Sequence, residues 1–306
     1  MISFIALSPS VDVTYLVDEF VEGGTFRPTA VVRAAGGKGL NAARAARVLG
    51  ASVRAVAVLG GAAGEFIRED LASAGVSLDA VAARTETRTC VSIASAASGL
   101  LTELYEYPSA IAVTELHALH HILERPEVTG WWAISGGMPA SVPVDELARL
   151  IRLGHSLGQK VAIDSHGRAL AAALDARPDL VKVNRREAAE LLGLALATDG
   201  LELATRIRAA TGGRVVITAG ADGSVAVENQ GRWRATWAGE PGRYAVGSGD
   251  SYLAGLLTAL DGGDPFDAAL RLAAGAATAN ALVPGAGMFT REDAAAIAEQ
   301  VVVTSA

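Results

Sequence analysis

Residues 247–257 read GSGDSYLAGLL, a glycine-rich turn that runs directly into an amphipathic pattern. Leucine recurs at i, i+3, i+4 and i+7 from Leu253 to Leu260, which predicts a helix with one apolar stripe. A turn without side chains at a helix N-terminus presents free backbone N–H groups and a partial positive charge. The stretch therefore predicts a site for an anion, such as a transferring phosphoryl group.

Asp250 lies at the mouth of this predicted anion site. A carboxylate there would repel phosphate, so its expected task is chemical: it accepts the proton of a hydroxyl that attacks phosphorus. The alternative is that Asp250 is an ordinary helix N-cap. The stretch alone leaves both interpretations open.

A second glycine cluster, residues 34–50, reads AAGGKGLNAARAARVLG and also runs into a helical pattern. Lys38 is not the lysine of a P-loop, because Gly39 stands where that motif needs Ser or Thr. The first cluster is not a dinucleotide fingerprint either, since Tyr252 occupies the place of its third glycine.

Two glycine-rich helix starts, at residues 36–41 and 247–255, the latter carrying Gly-Ser-Gly-Asp, resemble the ribokinase-like (PfkB) family of sugar kinases. The resemblance runs through nearly the whole chain. It rests on five ordered segments: 8–12 (SPSVD), 36–41 (GGKGLN), 182–187 (KVNRRE), 218–223 (TAGADG) and 247–255 (GSGDSYLAG).

The resemblance implies a role for each matched residue. Asp250 is the base, and the N–H groups of Gly247, Ser248 and Gly249 stabilise the phosphoryl oxygens. The substrate side comprises Asp12 and Asn41 for sugar hydroxyls, Arg27, Lys38 and Arg88 for a phosphate, and Gly36, Gly37 and Ser135. ATP is expected at Lys182, Asn184, Thr218, Gly220, Gly223, Asn280 and Gly285, with Mg²⁺ held through water by Asn184 and Glu187. The resemblance leaves a monovalent cation open.

Within the family the chain is most similar to the phosphosugar branch, which contains 1-phosphofructokinase and tagatose-6-phosphate kinase. The expected acceptor is therefore a phosphorylated ketohexose such as fructose 1-phosphate, tagatose 6-phosphate or fructose 6-phosphate. Departures from the branch gather on the substrate side, at Cys90, Tyr105 and Gly137. A kinase of an unphosphorylated sugar or of a nucleoside remains the alternative; a non-catalytic sugar sensor is disfavoured, because the acid and the glycine turn are both present.

Composition agrees with a compact enzyme. A net charge of −7 gives no basic footprint for nucleic acid, and one cysteine cannot form an internal disulfide. The start of the chain resembles a buried strand more than a signal sequence, and no apolar run reaches the length of a membrane span, so a cytoplasmic protein is expected. His117, His120 and His121 fall on a helical pattern and are expected to form a packed or solvated face rather than a metal site.

Short apolar runs alternate with helical patterns, which predicts a doubly wound α/β/α sandwich as one domain over residues 1–306. Strands are predicted at 53–59, 131–135, 161–164, 180–183 and 215–218, and helices at 144–153, 169–174 and 186–194. Segments 13–33 and 88–107 break this rhythm and predict antiparallel strands outside the main sheet. By resemblance they form a lid over the sugar, and a homodimer through that lid is left open.

Overall fold

The computed structural model describes residues 1–125, 128–229 and 231–306. The strands in these ranges are β1 (Ile2–Ala6), β2 (Ser10–Val17), β3 (Ala30–Gly36), β4 (Val53–Leu59), β5 (Ser77–Ala82), β6 (Arg88–Ser95), β7 (Leu101–Tyr105), β8 (Trp131–Ser135), β9 (Lys160–Asp164), β10 (Leu180–Asn184), β11 (Arg214–Thr218), β12 (Ser224–Glu228), β13 (Gly231–Thr236) and β14 (Val302–Ser305). The α-helices are α1 (Lys38–Val48), α2 (Gly61–Ser73), α3 (Val113–Leu123), α4 (Glu146–Ser156), α5 (Gly167–Ala173), α6 (Arg185–Leu192), α7 (Gly200–Thr211), α8 (Ser248–Asp261), α9 (Phe266–Leu282) and α10 (Arg291–Gln300).

The main sheet has the strand order β14-β13-β12-β11-β10-β9-β8-β1-β4-β5. The run from β11 to β5 is parallel throughout, and β12, β13 and β14 extend it with antiparallel pairs. A parallel sheet is buried on both faces, and β4 shows this directly, since all seven of its residues are buried. The predicted sandwich is confirmed.

Helices cover both faces of the main sheet. Side chains of α1, α2, α8, α9 and α10 belong to one apolar core, and those of α3 to α7 belong to the other. Successive side chains of β1 alternate between the two cores: Phe4 belongs to the first and Ile5 to the second. The five strands and three helices predicted from periodicity are present, with ends that differ by up to three residues.

A second, four-stranded sheet has the order β3-β2-β6-β7. Segments 13–33 and 88–107 supply most of its strands, and β2 begins earlier than predicted, at Ser10. The prediction of antiparallel pairing holds for β2–β3 and β6–β7 but is wrong for β2–β6, which are parallel. The reason is connectivity. Between the two strands the chain passes through α1, β4, α2 and β5, which belong to the main domain, that is, the main sheet and its flanking helices, and this connection is long enough for a parallel crossover.

The described residues contain no helix long and apolar enough to cross a membrane, and no cluster of acidic, histidine or cysteine side chains arranged to hold a metal. On α3, His120 is paired with a carboxylate from another helix, because its Nε2 lies 2.5 Å from Glu146 Oε1 on α4. Sequence spacing showed no such partner, since the two residues meet only through helix packing.

Candidate active site

Four parallel strands end at one edge of the main sheet, and each leaves a polar residue there. β8 ends at Ser135, β9 at Asp164, β10 at Asn184 and β11 at Thr218. The register places Ser135 beside Asp164, and Asn184 beside Thr218. This edge is where ligands bind in open α/β sheets.

Asp250 lies in the first turn of α8, which begins after Gly247 in the left-handed conformation at φ 79°. The N-cap residue of this helix is Gly247, three positions before Asp250, so the N-cap interpretation is wrong. The carboxylate is buried and accepts a hydrogen bond from Asn41 Nδ2, 3.0 Å from its Oδ2. The turn and α1 therefore meet at this one aspartate.

Burial raises the pKa of Asp250 to about 6, and the nearby carboxylate of Asp164 contributes to the increase. The charges of Lys38 and Lys182 and the hydrogen bond from Asn41 oppose it. A carboxylate with a pKa of about 6 is mostly ionised at neutral pH and still has appreciable affinity for a proton. Both properties suit a general base.

Asp164 lies between two ammonium groups. Its Oδ1 is 2.8 Å from Lys38 Nζ and its Oδ2 is 2.7 Å from Lys182 Nζ, and its side chain is fully buried. Burial alone would raise the pKa of Asp164, but the charges of Lys182 and Lys38 outweigh it and lower that pKa. Likewise Asp164 and Glu187 hold the pKa of Lys38 above its usual value despite burial. Two positive charges therefore lie close to Asp250 and the predicted anion site.

Lys182 also explains the glycine at position 249. A Cβ added to Gly249 would lie 2.9 Å from Lys182 Nζ, which is tighter than real contacts. The absence of a side chain therefore lets the ammonium group approach the backbone of the anion site. A backbone N–H group and a cation at the same place both stabilise negative charge on an oxygen.

Asn280 on α9 holds this turn in place. Its Nδ2 donates to Val246 O at 2.7 Å and to Ser248 Oγ at 3.2 Å, and its Oδ1 accepts from Gly287 N at 2.8 Å and from Ser251 Oγ at 3.1 Å. The side chain is fully buried. The amide atoms of Asn280 thus support the backbone around the anion site from within the protein.

Asn184 and Glu187 form a reciprocal cap at the start of α6. Asn184 Oδ1 accepts from Glu187 N at 2.9 Å, and Glu187 Oε2 accepts from Asn184 N at 3.0 Å. Glu187 Oε1 also lies 3.4 Å from Lys38 Nζ. The oxygens suit Mg²⁺, but the cap and Lys38 engage them, so these residues fit a hydrated ion held through water better than direct ligation.

Asp12 and Asn41 line a cleft between the second sheet and the main domain. Asp12 accepts from Ser10 Oγ at 2.6 Å and from Gly37 N at 3.4 Å, and burial raises its pKa. Asn41 Oδ1 is buried without a hydrogen-bond partner among the described residues. Other lining residues are Thr14, Val32, Ala34, Cys90, Ser92, Tyr105, Val246, Gly285 and Ala286.

The three expected phosphate-binding cations lie at different places. Arg88 donates to Glu106 O at 2.8 Å and to Ser8 O at 3.3 Å, which holds its guanidinium group between the residue after β7 and the segment before β2. Arg27 is exposed on the loop between β2 and β3. Lys38 lies between the carboxylates of Asp164 and Glu187.

The expected ATP-side residues divide into two groups. Lys182, Asn184 and Thr218 lie at the ends of β10 and β11, and Gly220 and Gly223 flank the short turn that follows β11. Gly285 lies apart from them, in the cleft that contains Asp12.

Ser135 was predicted on the substrate side and is buried at the end of β8. Its Oγ has no hydrogen-bond partner within the part of the chain that the structure describes. The contacts of Asp164 with two lysines were not predicted, although its place at a strand end was. The available signal was an aspartate after a buried strand, and its two lysine partners, 126 and 18 residues away, could not be deduced from spacing.

Comparison with known proteins finds a family of carbohydrate kinases and solved structures with the same fold. Residues 4–293 match the pfkB family of carbohydrate kinases. Phosphofructokinase-2 from Escherichia coli, in complex with substrates and products, is 28% identical, with a TM-score of 0.92 and 98% of each chain covered. The same enzyme in complex with potassium gives 28% identity and a TM-score of 0.91. A Thermotoga maritima protein described as a possible 1-phosphofructokinase is 21% identical at a TM-score of 0.91, covering 100% of this chain and 99% of its own, and shows the shared fold.

Proposed function

The chain belongs to the pfkB family of carbohydrate kinases, and we propose that it transfers the γ-phosphoryl group of ATP to a hydroxyl of a phosphorylated ketohexose. Fructose 6-phosphate, fructose 1-phosphate and tagatose 6-phosphate are the acceptors to test first. The similarity to a phosphofructokinase-2 over 98% of the chain supports this substrate class.

The observation that carries the proposal is the junction of Asp250 with Asn41. Asp250 is a buried carboxylate with a pKa of about 6 at the start of a helix, and Asn41 donates to it. Asn41 Oδ1 is left without a partner in the described residues and belongs to the cleft that contains Asp12. A sugar hydroxyl can donate to that oxygen and so satisfy it while another hydroxyl approaches Asp250.

In this mechanism the protein positions the hydroxyl, removes its proton and stabilises the charge that moves. Asp12 and Asn41 hold the sugar in the cleft. Asp250 accepts the proton as the hydroxyl oxygen attacks phosphorus. The N–H groups of Gly247 and Gly249 stabilise the phosphoryl oxygens. The N–H group of Ser248, also expected in this role, donates to Ala245 O at 3.1 Å instead.

Lys38 and Lys182 supply the charge that backbone dipoles cannot. The ammonium group of Lys182 lies against Gly249, and that of Lys38 lies between Asp164 and Glu187. We therefore assign Lys38 to the transferring group rather than to the phosphate already on the sugar. That leaves Arg88 and Arg27 for the sugar phosphate, although Arg27 is exposed on its loop and is not among the residues that line the cleft.

Asn184 and Glu187 would hold Mg²⁺ through water near the ATP phosphates. The ion supplies charge neutralisation of the phosphate oxygens when it is bound. A monovalent cation remains part of the proposal, because the related Escherichia coli enzyme forms a complex with potassium. The second sheet acts as the lid of the sugar site, and a dimer through its exposed face is the proposed assembly.

A phosphosugar panel with ATP and Mg²⁺ tests the substrate class directly. We expect the wild type to prefer a phosphorylated ketohexose, and Arg88→Ala to raise the KM for it about 10-fold or more, since a charged hydrogen bond contributes about 1.5–3 kcal/mol. Activity toward unphosphorylated fructose or ribose should barely change. The assay is ADP release at varied acceptor concentration.

Arg33→Ala is the matched control for Arg88. It removes the same charge from the same sheet, but Arg33 lies between Val32 and Ala34, which both line the cleft, and so points to the opposite face. Its KM should equal that of the wild type. A wild-type preference for an unphosphorylated sugar or a nucleoside, or an equal effect of both substitutions, would overturn the assignment.

A further inference from the structure

One residue of the second sheet is held by side chains of the main domain on both of its backbone groups. The residue is Ala35, the penultimate residue of β3, which is an edge strand. Its N–H donates to Asp70 Oδ2 at 2.8 Å, and its carbonyl accepts from an Arg44 terminal nitrogen at 3.3 Å. Arg44 and Asp70 are themselves joined by an ion pair. These three residues form what we call the strand clamp.

The strand clamp joins three elements. Arg44 belongs to α1, Asp70 to α2 and Ala35 to β3. The Arg44 side chain is only 5% exposed and that of Asp70 23% exposed, so solvent screens the pair weakly. A buried pair of this kind costs desolvation free energy and adds little net stability. Stability alone therefore does not explain why both side chains of the pair bond to the backbone of one residue, Ala35.

Ala35 immediately precedes two glycines that contact the Asp12 carboxylate. A Cβ on Gly36 would lie 2.0 Å from Asp12 Cγ, so the carboxylate rests directly on that glycine. The next residue, Gly37, donates its N–H to Asp12 Oδ2. Fixing Ala35 thus fixes the two glycines that carry Asp12.

The other end of the strand clamp is on the helix that carries Asn41. Arg44 follows Asn41 by three residues, so both side chains lie on neighbouring positions of the same side of α1. Asn41 Nδ2 lies 3.0 Å from Asp250 and 3.5 Å from Asp12. The strand clamp therefore sets the distance between β3, whose last residues hold Asp12, and α1, whose Asn41 contacts Asp250.

We propose that Arg44 and Asp70 are positioning residues that hold Asp12 in register with Asn41 and Asp250, so that they determine how the acceptor sits in the cleft. The proposal rests on the proposed function for the identity of the acceptor only. The hydrogen bonds of the two side chains to the second sheet go to the backbone of Ala35. The clamp works through the backbone of residues 35–37.

The test compares Asp70→Asn with Asp79→Asn. Asp79 forms a similar pair with Arg54, 2.6 Å apart, but on β5 and β4 of the main sheet. Both substitutions remove one carboxylate from a partly buried arginine pair, so both should lower the melting temperature. Only Asp70→Asn should lower kcat/KM for the acceptor, by about 10- to 100-fold and mainly through KM, because small misplacements of substrate-positioning groups have effects of this size. KM for ATP should stay within about twofold.

Amide hydrogen exchange gives a second readout that needs no acceptor. Peptides spanning residues 34–40 should exchange faster in Asp70→Asn than in Asp79→Asn at equal distance below each melting temperature. Equal exchange in this segment, or equal acceptor KM in the two variants, would overturn the positioning role. If the wild type phosphorylates none of the phosphohexoses, the proposed function fails, and the exchange comparison still decides the clamp.

Discussion

The raised pKa of Asp250 makes the pH profile of the reaction a direct test of its role. With a pKa of about 6, about 90% of Asp250 is ionised at pH 7 and about 10% at pH 5. Lowering the pH from 7 to 5 should therefore reduce kcat/KM for the acceptor about tenfold. An aspartate at the ordinary value near 3.9 would lose less than about 10% over the same interval.

Phosphate esters also titrate near pH 6, so the profile needs a control that separates enzyme from substrate. Asp164→Asn provides it, because the Asp164 carboxylate raises the pKa of Asp250. The acidic limb should move to lower pH in this variant, whereas a limb caused by substrate ionisation would stay in place.

The measurement is direct chromatographic quantification of ADP between pH 4.5 and 8 at saturating Mg²⁺ and ATP. Each sample is returned to pH 7.5 afterwards to show that the enzyme survived. An acidic limb below pH 4.5 in the wild type, or one that is identical in Asp164→Asn, would refute the assignment of Asp250 as a base with a raised pKa.

Three further outcomes follow from single contacts. Asp250→Asn keeps the shape of the side chain and removes its basic oxygen, so kcat should fall about 10²–10⁴-fold while calorimetry shows ATP still binding; retention of more than about a tenth of kcat would contradict this. Glu187→Gln should raise the Mg²⁺ concentration needed for half activity and leave the acceptor KM unchanged, and an unaltered Mg²⁺ titration would remove the residue from the metal site. The hydrogen bond to Glu146 raises the pKa of His120, so the stabilisation from this pair is complete below pH 6.5 and is lost as the pH rises through the folded-state pKa. His120→Gln should therefore lower the melting temperature more at pH 5.5 than at pH 9. An equal loss at both pH values would contradict the pairing.

Much of the main domain could be predicted from local pattern. β4 and β8 begin and end at the predicted residues, because a buried parallel strand is a continuous apolar run with polar neighbours. The helix after Gly247 and the strand end at Asp164 follow from the same periodicity, and the strand predicted over residues 180–183 ends one residue later, at Asn184. The family followed from ordered motifs, and the match over residues 4–293 confirms it.

The second sheet was predicted as strands but not as a topology. Pairing partners in a sheet depend on where the chain returns after long excursions, and the main domain separates β2 from β6. No pattern within either strand distinguishes parallel from antiparallel pairing when both faces are mixed.

The sequence by itself determined the layered fold and the two glycine-rich helix starts, and it led to the proposal of Asp250 as the base, because these depend on residues close together in the chain. Only the tertiary structure decided which charged side chains lie together. Lys38 was expected beside the sugar phosphate and lies with Asp164, 126 residues away. Arg44 and Asp70 carried no signal at all until α1 and α2 brought them to opposite groups of Ala35. Coulombic and hydrogen-bond interactions act over a few ångströms in space, so the roles of these side chains depend on the packing of helices that sequence spacing does not encode.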